Sequence, residues 1–248
     1  MDTNDLNQWL QDEATRLNCN LIGFAELDSS TQKEVLYADY YIDDSPASYV
    51  IILAMALEDP IQDAWTQSPS WFKGKNYIDE ALARAATTLA FQLFKQGFPS
   101  RTLAYDGAYL KSLAVRAGLG IIGRNNLLIT PQYGPHIRLR GLLTQAPLSP
   151  SESLLGQFNP CAKCPDPPPC IKSCPAKAFQ LTIQTEESQE EIAPLALYPQ
   201  SHRSGYDKSA CRNYSMGHLK EIGPYTYLWC RACEDACPIG KSNLHLKE

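Results

Sequence analysis

Three things are missing from this sequence. The opening residues, MDTNDLNQWLQDE, contain no basic stretch followed by an apolar core, so nothing there reads as a secretory signal. The longest apolar run, Tyr49 to Leu57, is far short of the roughly 20 residues needed to cross a bilayer. Positive charge is not in excess either. The 22 Lys and Arg stand against 27 Asp and Glu, a net charge of −5, which argues against a uniformly basic nucleic-acid binder. These absences lead to the expectation of a soluble, cytoplasmic protein with no membrane partner. What remains is a chain of 248 residues, 44% hydrophobic and 20% charged, large enough to bury a core and too apolar to be disordered.

A further absence is local. From Gly107 to Ser151 there is no acidic residue, while Lys111, Arg116, Arg124, Arg138 and Arg140 fall within that stretch. Residues 1–63 show the opposite bias, with thirteen Asp and Glu against Arg16 and Lys33. A basic segment that also contains glycines suits a ligand with anionic groups such as phosphate. Scattered solvated cations are the plainer alternative.

Periodicity divides the first part of the chain into alternating elements. Leu6, Trp9, Leu10, Ala14 and Leu17 recur at helical spacing over residues 3–18. Asn20 to Leu27 and Tyr49 to Leu57 read as buried strands. Ile78, Leu82, Ala85, Leu89 and Leu93 predict one apolar face on a helix over 76–96, stopped by Gly97 and Pro99. A strand over Arg101 to Tyr105 and a helix over Tyr109 to Ala117 follow. Asn126 to Thr130 and Ile137 to Thr144 read as a hairpin joined by PQYGPH. This interleaving predicts an α+β domain over residues 1–150, with a connector at Pro147 to Pro160 leading into a second domain over residues 151–248. Within the second domain, the acidic run 184–191 reads as a solvated excursion.

Cysteine is abundant and crowded: eight of the nine lie between Cys161 and Cys237. In a reducing compartment such crowding reads as metal or redox chemistry before disulfides. The first group is Cys161-x2-Cys164-x5-Cys170-x3-Cys174-Pro175, and the second is Cys211-x18-Cys230-x2-Cys233-x3-Cys237-Pro238. CIKSCP and CEDACP thus repeat one C-x3-C-P pattern, the spacing of ferredoxins with two 4Fe-4S clusters, in which the cysteine before the proline ligates the other cluster. That rule assigns Cys161, Cys164, Cys170 and Cys237 to one cluster and Cys174, Cys211, Cys230 and Cys233 to the other. Structural zinc is the competing metal, since C-x2-C pairs also build four-thiolate sites. Two departures stand out: PDPPP widens the gap before Cys170, and Cys211 lies far ahead of Cys230. Cys19, beside an apolar strand, reads as a buried structural thiol. His136 and His202 read as solvated loop residues in preference to metal ligands, and Trp65, Trp71 and Trp229 as packing residues.

AVRAGLGIIGRNNLLITPQYGP (residues 114–135), followed by IRLRGLLT and the two cysteine groups, resembles the epoxyqueuosine reductases and their relatives the reductive dehalogenases. The resemblance covers roughly residues 101–238. It implies a nitroreductase-like α+β domain that binds cobalamin, followed by a ferredoxin-like domain whose two 4Fe-4S clusters feed it electrons from a donor such as ferredoxin or flavodoxin. By position, Gly118, Gly120, Gly123, Arg124 and Asn125 would approach the corrin or its nucleotide tail, with Thr130 and the Tyr133-Gly134 turn nearby. The family's proton-donating aspartate has its counterpart in Asp106, about two residues closer to AGLG than the family spacing and without the usual proline and glutamate; an N-cap or turn role is the alternative. The dehalogenases use a tyrosine, for which Tyr105 and Tyr109 stand nearest. Epoxyqueuosine reductases continue into a helical-repeat domain that holds tRNA, whereas eleven residues follow Cys237 here. This weakens the case for tRNA and leaves a small molecule or modified nucleoside as the expected substrate. A non-catalytic electron-transfer or corrinoid-activating protein is the competing reading.

Overall fold

The computed structural model describes residues 3–28, 41–42, 45–66, 75–104, 108–179 and 206–240. Tyr105, Asp106, His202, Trp71 and the acidic run 184–191 lie outside these residues. The first elements are α1 (Thr3–Arg16), β1 (Leu21–Glu26), the short paired strands β2 (Tyr41–Ile42) and β3 (Ser45–Pro46), and β4 (Tyr49–Ala56). A 3-10 turn at Pro60–Asp63 leads through β5 (Trp65–Thr66) and β6 (Lys75–Asn76) into α2 (Tyr77–Lys95). Then come β7 (Ser100–Thr102), α3 (Leu110–Arg116), β8 (Ile121–Ile122), β9 (Leu128–Ile129) and β10 (Ile137–Thr144).

The central sheet has the order β1-β4-β10-β7, antiparallel throughout. Strand β4 is apolar along nearly its whole length because both of its faces are covered. Its period of two sends Val50, Ile52 and Ala54 into a core shared with α3, and Ile51, Leu53 and Met55 into a core shared with α1 and α2. Each fully buried leucine or isoleucine is stabilised by about 1.5–3 kcal/mol relative to exposure. This exceeds the roughly 1 kcal/mol span of strand propensity, so burial decides the strand.

Helix α2 buries the apolar face expected from its periodicity. Asn76 caps it by accepting from Asp79 N at 3.0 Å. Gly97, at φ +89, ends it: Gly97 N donates to Phe94 O and Phe98 N to Leu93 O, the paired bonds of a Schellman stop.

The expected hairpin between Asn126–Thr130 and Ile137–Thr144 does not form. Strand β9 pairs with β8, its turn closed by Gly123 N to Leu127 O and by Asn126 at φ +59. Residues 130–134 close on themselves through Thr130 and Gly134. Strand β10 runs beside β4 from Ile137↔Ala56 to Thr144↔Tyr49. Pairing with an eight-residue buried strand satisfies more backbone groups and covers more apolar surface than pairing with a two-residue one.

Among the described residues beyond Pro160 are two one-turn helices, α4 (Pro169–Lys172) and α6 (Ala232–Asp235). Between them lie the longer α5 (Lys208–Gly217), capped by Asp207, and the hairpin β11 (Lys220–Gly223) and β12 (Thr226–Leu228). That hairpin extends a second sheet, β11-β12-β5-β6, which joins the cysteine-rich part to Trp65–Thr66 and Lys75–Asn76. The packing role expected of Trp65 and Trp229 is met there, with ring centroids 5.5 Å apart. Among the described residues no helix is long and apolar enough to cross a membrane.

Candidate functional site

All nine cysteines are free thiols. The two C-x3-C-P repeats form α4 and α6, which pack against each other; Ser173 Oγ donates to Ala232 O at 2.9 Å and to Cys170 O at 3.2 Å. Each repeat thus presents one cysteine within its helical turn and a second just after it.

The electrostatic neighbours of Cys170, Cys233 and Cys164 sort the thiols into groups. Cys170 is pushed up to about 11, first by burial and then by Cys161, Cys237 and Cys164. Cys233 is pushed up to about 12 by burial, then by Glu234, Cys174, Cys211 and Cys230. Cys164 is raised by burial and by Cys161, against the opposing charge of Arg124. Thiolates held this close together repel one another, and bound iron would reverse that balance by stabilising the thiolate form. Among the described residues no three His, Cys, Asp or Glu side chains close around a single metal ion.

Cys211, far from Cys230 in sequence, arrives by closure of the chain on itself. Phe179 and Tyr206 form an antiparallel bridge with stacked rings, and Asp207 N donates to Ala178 O at 2.7 Å. Phe179 and Tyr206 therefore lie side by side, and α5 carries Cys211 to Cys174 and Cys233. Tyr206 hydrogen-bonds with Cys211, and its phenol is raised by burial, by that bond and by the neighbouring thiols. Sequence reasoning missed Tyr206; its place five residues before Cys211 was the one available signal.

The glycine-rich loop touches both cysteine groups. Arg124 N donates to Cys161 Sγ at 3.3 Å, and Asn125 Nδ2 donates to Cys233 O at 3.4 Å. Asn125 and Thr130 are buried, the latter bonded to Gly134 and Tyr133. A Cβ on Gly118 would lie 2.2 Å from Glu152 O, one on Gly120 2.4 Å from Ile129 O, and one on Gly123 2.7 Å from Ile129 Cγ1. These glycines permit close approach of the chain to itself.

The arginines of the acid-free stretch meet carboxylates from distant segments. Arg138 pairs with Asp63 and Glu234, Arg140 with Asp79 at 2.5 Å, and Arg124 lies 3.6 Å from Asp166. The local charge bias is thus largely neutralised within the fold. His136, read as a solvated loop residue, is instead fully buried, its Nε2 3.7 Å from Asp235. It enters β10 at a point where α6 covers it. Cys19 lies in the α1–α2 core, where burial raises its thiol to about 12.

Lys111 donates to Asn126 O at 2.6 Å, and burial, aided by nearby Lys208, lowers its amine from 10.5 to about 8. Between those values the folded chain binds fewer protons than the unfolded one, so stability rises with pH through that window and this gain is lost below it. Wild type is expected to gain up to about 3 kcal/mol on Lys111→Met from neutral pH to the top of the window. Urea unfolding of both proteins at the two ends checks this; a constant difference would contradict a desolvated amine.

No family model matches the chain. The tetrachloroethene reductive dehalogenase of Sulfurospirillum multivorans is 30% identical over 138 residues, 55% of this chain and 25% of that protein. The epoxyqueuosine reductase of Staphylococcus aureus is 30% identical over 128 residues, 52% of this chain and 28% of that protein. The chain therefore matches about a quarter of the length of these curated relatives. Among solved structures, epoxyqueuosine reductase from Bacillus subtilis shares the fold with a TM-score of 0.59 at 15% identity, over 98% of this chain and 67% of its own. A catabolic reductive dehalogenase gives 0.63 at 16% identity, over 94% and 31%. A further dehalogenase structure, described in terms of B12-dependent dehalogenation, gives 0.50 at 16% identity, over 68% and 25%. The chain is related to both groups of proteins, and its mixed helix and strand fold is similar to theirs.

Proposed function

We propose that this chain is an iron-sulfur reductase with two 4Fe-4S clusters, one held by Cys161, Cys164, Cys170 and Cys237 and the other by Cys174, Cys211, Cys230 and Cys233. The observation that carries this reading is the grouping of the thiols: Cys170 has Cys161, Cys164 and Cys237 as its charged neighbours, and Cys233 has Cys174, Cys211 and Cys230, the other members of one crossed quartet in each case. The residues fit such clusters. Arg124 N–H already faces a thiol, and buried Arg231, between Cys230 and Cys233 in sequence, has no hydrogen-bond partner for Nη1 among the described residues, a donor suited to an anionic group.

The clusters supply one-electron transfers. Cys170 and Cys237 are buried and shield their group from water, whereas Cys230 is exposed and offers the approach for a donor such as ferredoxin or flavodoxin. In this reading residues 1–150 form a nitroreductase-like domain and residues 151–248 a ferredoxin-like one. Cobalamin is the acceptor that the B12-dependent relative supports. Gly118, Gly120 and Gly123, however, do not fit as its cradle, because the space a Cβ would take is filled by Glu152 and Ile129. We assign the protein no chemical step at cobalt; Asp106 or Tyr105 is the proposed proton donor to a small-molecule or modified-nucleoside substrate. The filled loop also favours a second reading, an electron-transfer or corrinoid-activating protein.

Anaerobic reconstitution with iron and sulfide decides between them. About eight irons and as many sulfides per chain are expected, and added cob(II)alamin is expected to change its visible and paramagnetic resonance spectra. Clusters with unchanged cob(II)alamin would leave the electron-transfer reading. Zinc in place of iron would overturn both.

A further inference from the structure

The segment entering β10 alternates in register against the second cysteine helix. Gly134 approaches Ile239, His136 approaches Asp235, and Arg138 pairs with Glu234. Gly134, His136 and Arg138 thus all face the run Glu234–Gly240.

Arg138 is the charged member of this seam. Its Nη1 and Nη2 lie 3.4 and 3.3 Å from Glu234 oxygens, and its Nε donates to Asp63 Oδ1 at 2.9 Å. Asp63 is held in turn by Asn76, the cap of α2, through bonds of 3.0 and 3.3 Å. Arg231 Nη2 reaches the same Glu234 at 3.2 Å. Asp63, Glu234 and Arg231 are all buried. Glu234 follows Cys233 directly and precedes Cys237 by three residues. The chain from the α2 cap through Asp63 and Arg138 to Glu234 therefore ends on the turn that serves both quartets.

We propose that Arg138 is a positioning residue for the electron relay: by holding Glu234 it orients the turn that sends Cys233 to one cluster and Cys237 to the other, and it cancels a buried carboxylate charge beside Cys233. The inference rests on the cluster reading above. Reduction adds negative charge to a cluster, so an uncompensated carboxylate nearby opposes it.

The test is a potentiometric titration of the anaerobically reconstituted full chain, followed by paramagnetic resonance, with iron and sulfide counted. Arg138→Met is expected to move the potential of one cluster to more negative values, and Glu234→Gln to move it the other way. The double variant is expected to return near wild type, and Arg138→Lys, which keeps the charge, to stay close to the wild-type potential. Wild-type potentials in both single variants, with clusters intact, overturn the proposal and leave the cluster reading standing. A wild-type chain that takes up no clusters overturns both. Should Arg138→Met fail to fold, Glu234→Gln decides alone: an upward shift supports the role and no shift overturns it.

Discussion

Cys237→Ala is expected to remove the same cluster as Cys170→Ala, although the two residues belong to different cysteine groups in the sequence. Each variant should retain about half of the iron and sulfide, and the surviving cluster should give the same paramagnetic resonance signal in both. Cys174→Ala and Cys233→Ala should delete the other cluster and leave the complementary signal. The expectation follows from the neighbours that burial has given these thiols: Cys170 feels Cys237, whereas Cys233 feels Cys174 and Cys211. If Cys237→Ala instead removed the cluster lost in Cys233→Ala, ligation would follow blocks of sequence and the crossed arrangement would be wrong.

Gly134→Val is expected to be the most damaging substitution outside the cysteines. Gly134 stands at φ +56, and a Cβ there would lie 1.9 Å from Ile239 O. Gly240, at φ +80, has the reciprocal problem, with Gly134 N and Tyr133 C both at 2.1 Å. Two backbones cross at van der Waals contact, so relief requires separating the β10 entrance from the segment that follows Cys237. Strain in the left-handed region and overpacking together predict a loss of about 2–6 kcal/mol, read as a lowered midpoint in urea. Reduced iron retention should accompany it, since Cys237 moves with that segment. Gly217→Ala is the control: nothing lies within 4 Å of its added Cβ, and a change within about 1 kcal/mol is expected. Equal effects at the two glycines would refute the crossing as the cause.

Helices and buried strands were legible where pattern is local. Ile78 to Leu93 could only share a face as a helix, and the apolar run Tyr49 to Leu57 could only be covered on both sides. Pairing partners were not legible: Asn126–Thr130 and Ile137–Thr144 have strand character, but nothing local says that the first pairs with Ile121–Ile122 and the second with β4. The acid-free stretch misled for a related reason. Its arginines looked free for an anionic ligand because Asp63, Asp79, Asp166 and Glu234 lie outside it. His136 followed the same course, looking like a loop histidine until α6 covered it.

The sequence alone determined the two cysteine groups, their repeated C-x3-C-P turns and the resemblance carried by residues 114–135, because thiol spacing and turn chemistry are local. Tertiary structure decided which thiols face each other, how Phe179 and Tyr206 meet to bring in Cys211, and that the glycine-rich loop packs against its own chain. It also decided that Arg138 serves Asp63 and Glu234. Such matches depend on strand register and chain closure, which long-range burial selects and no short motif encodes.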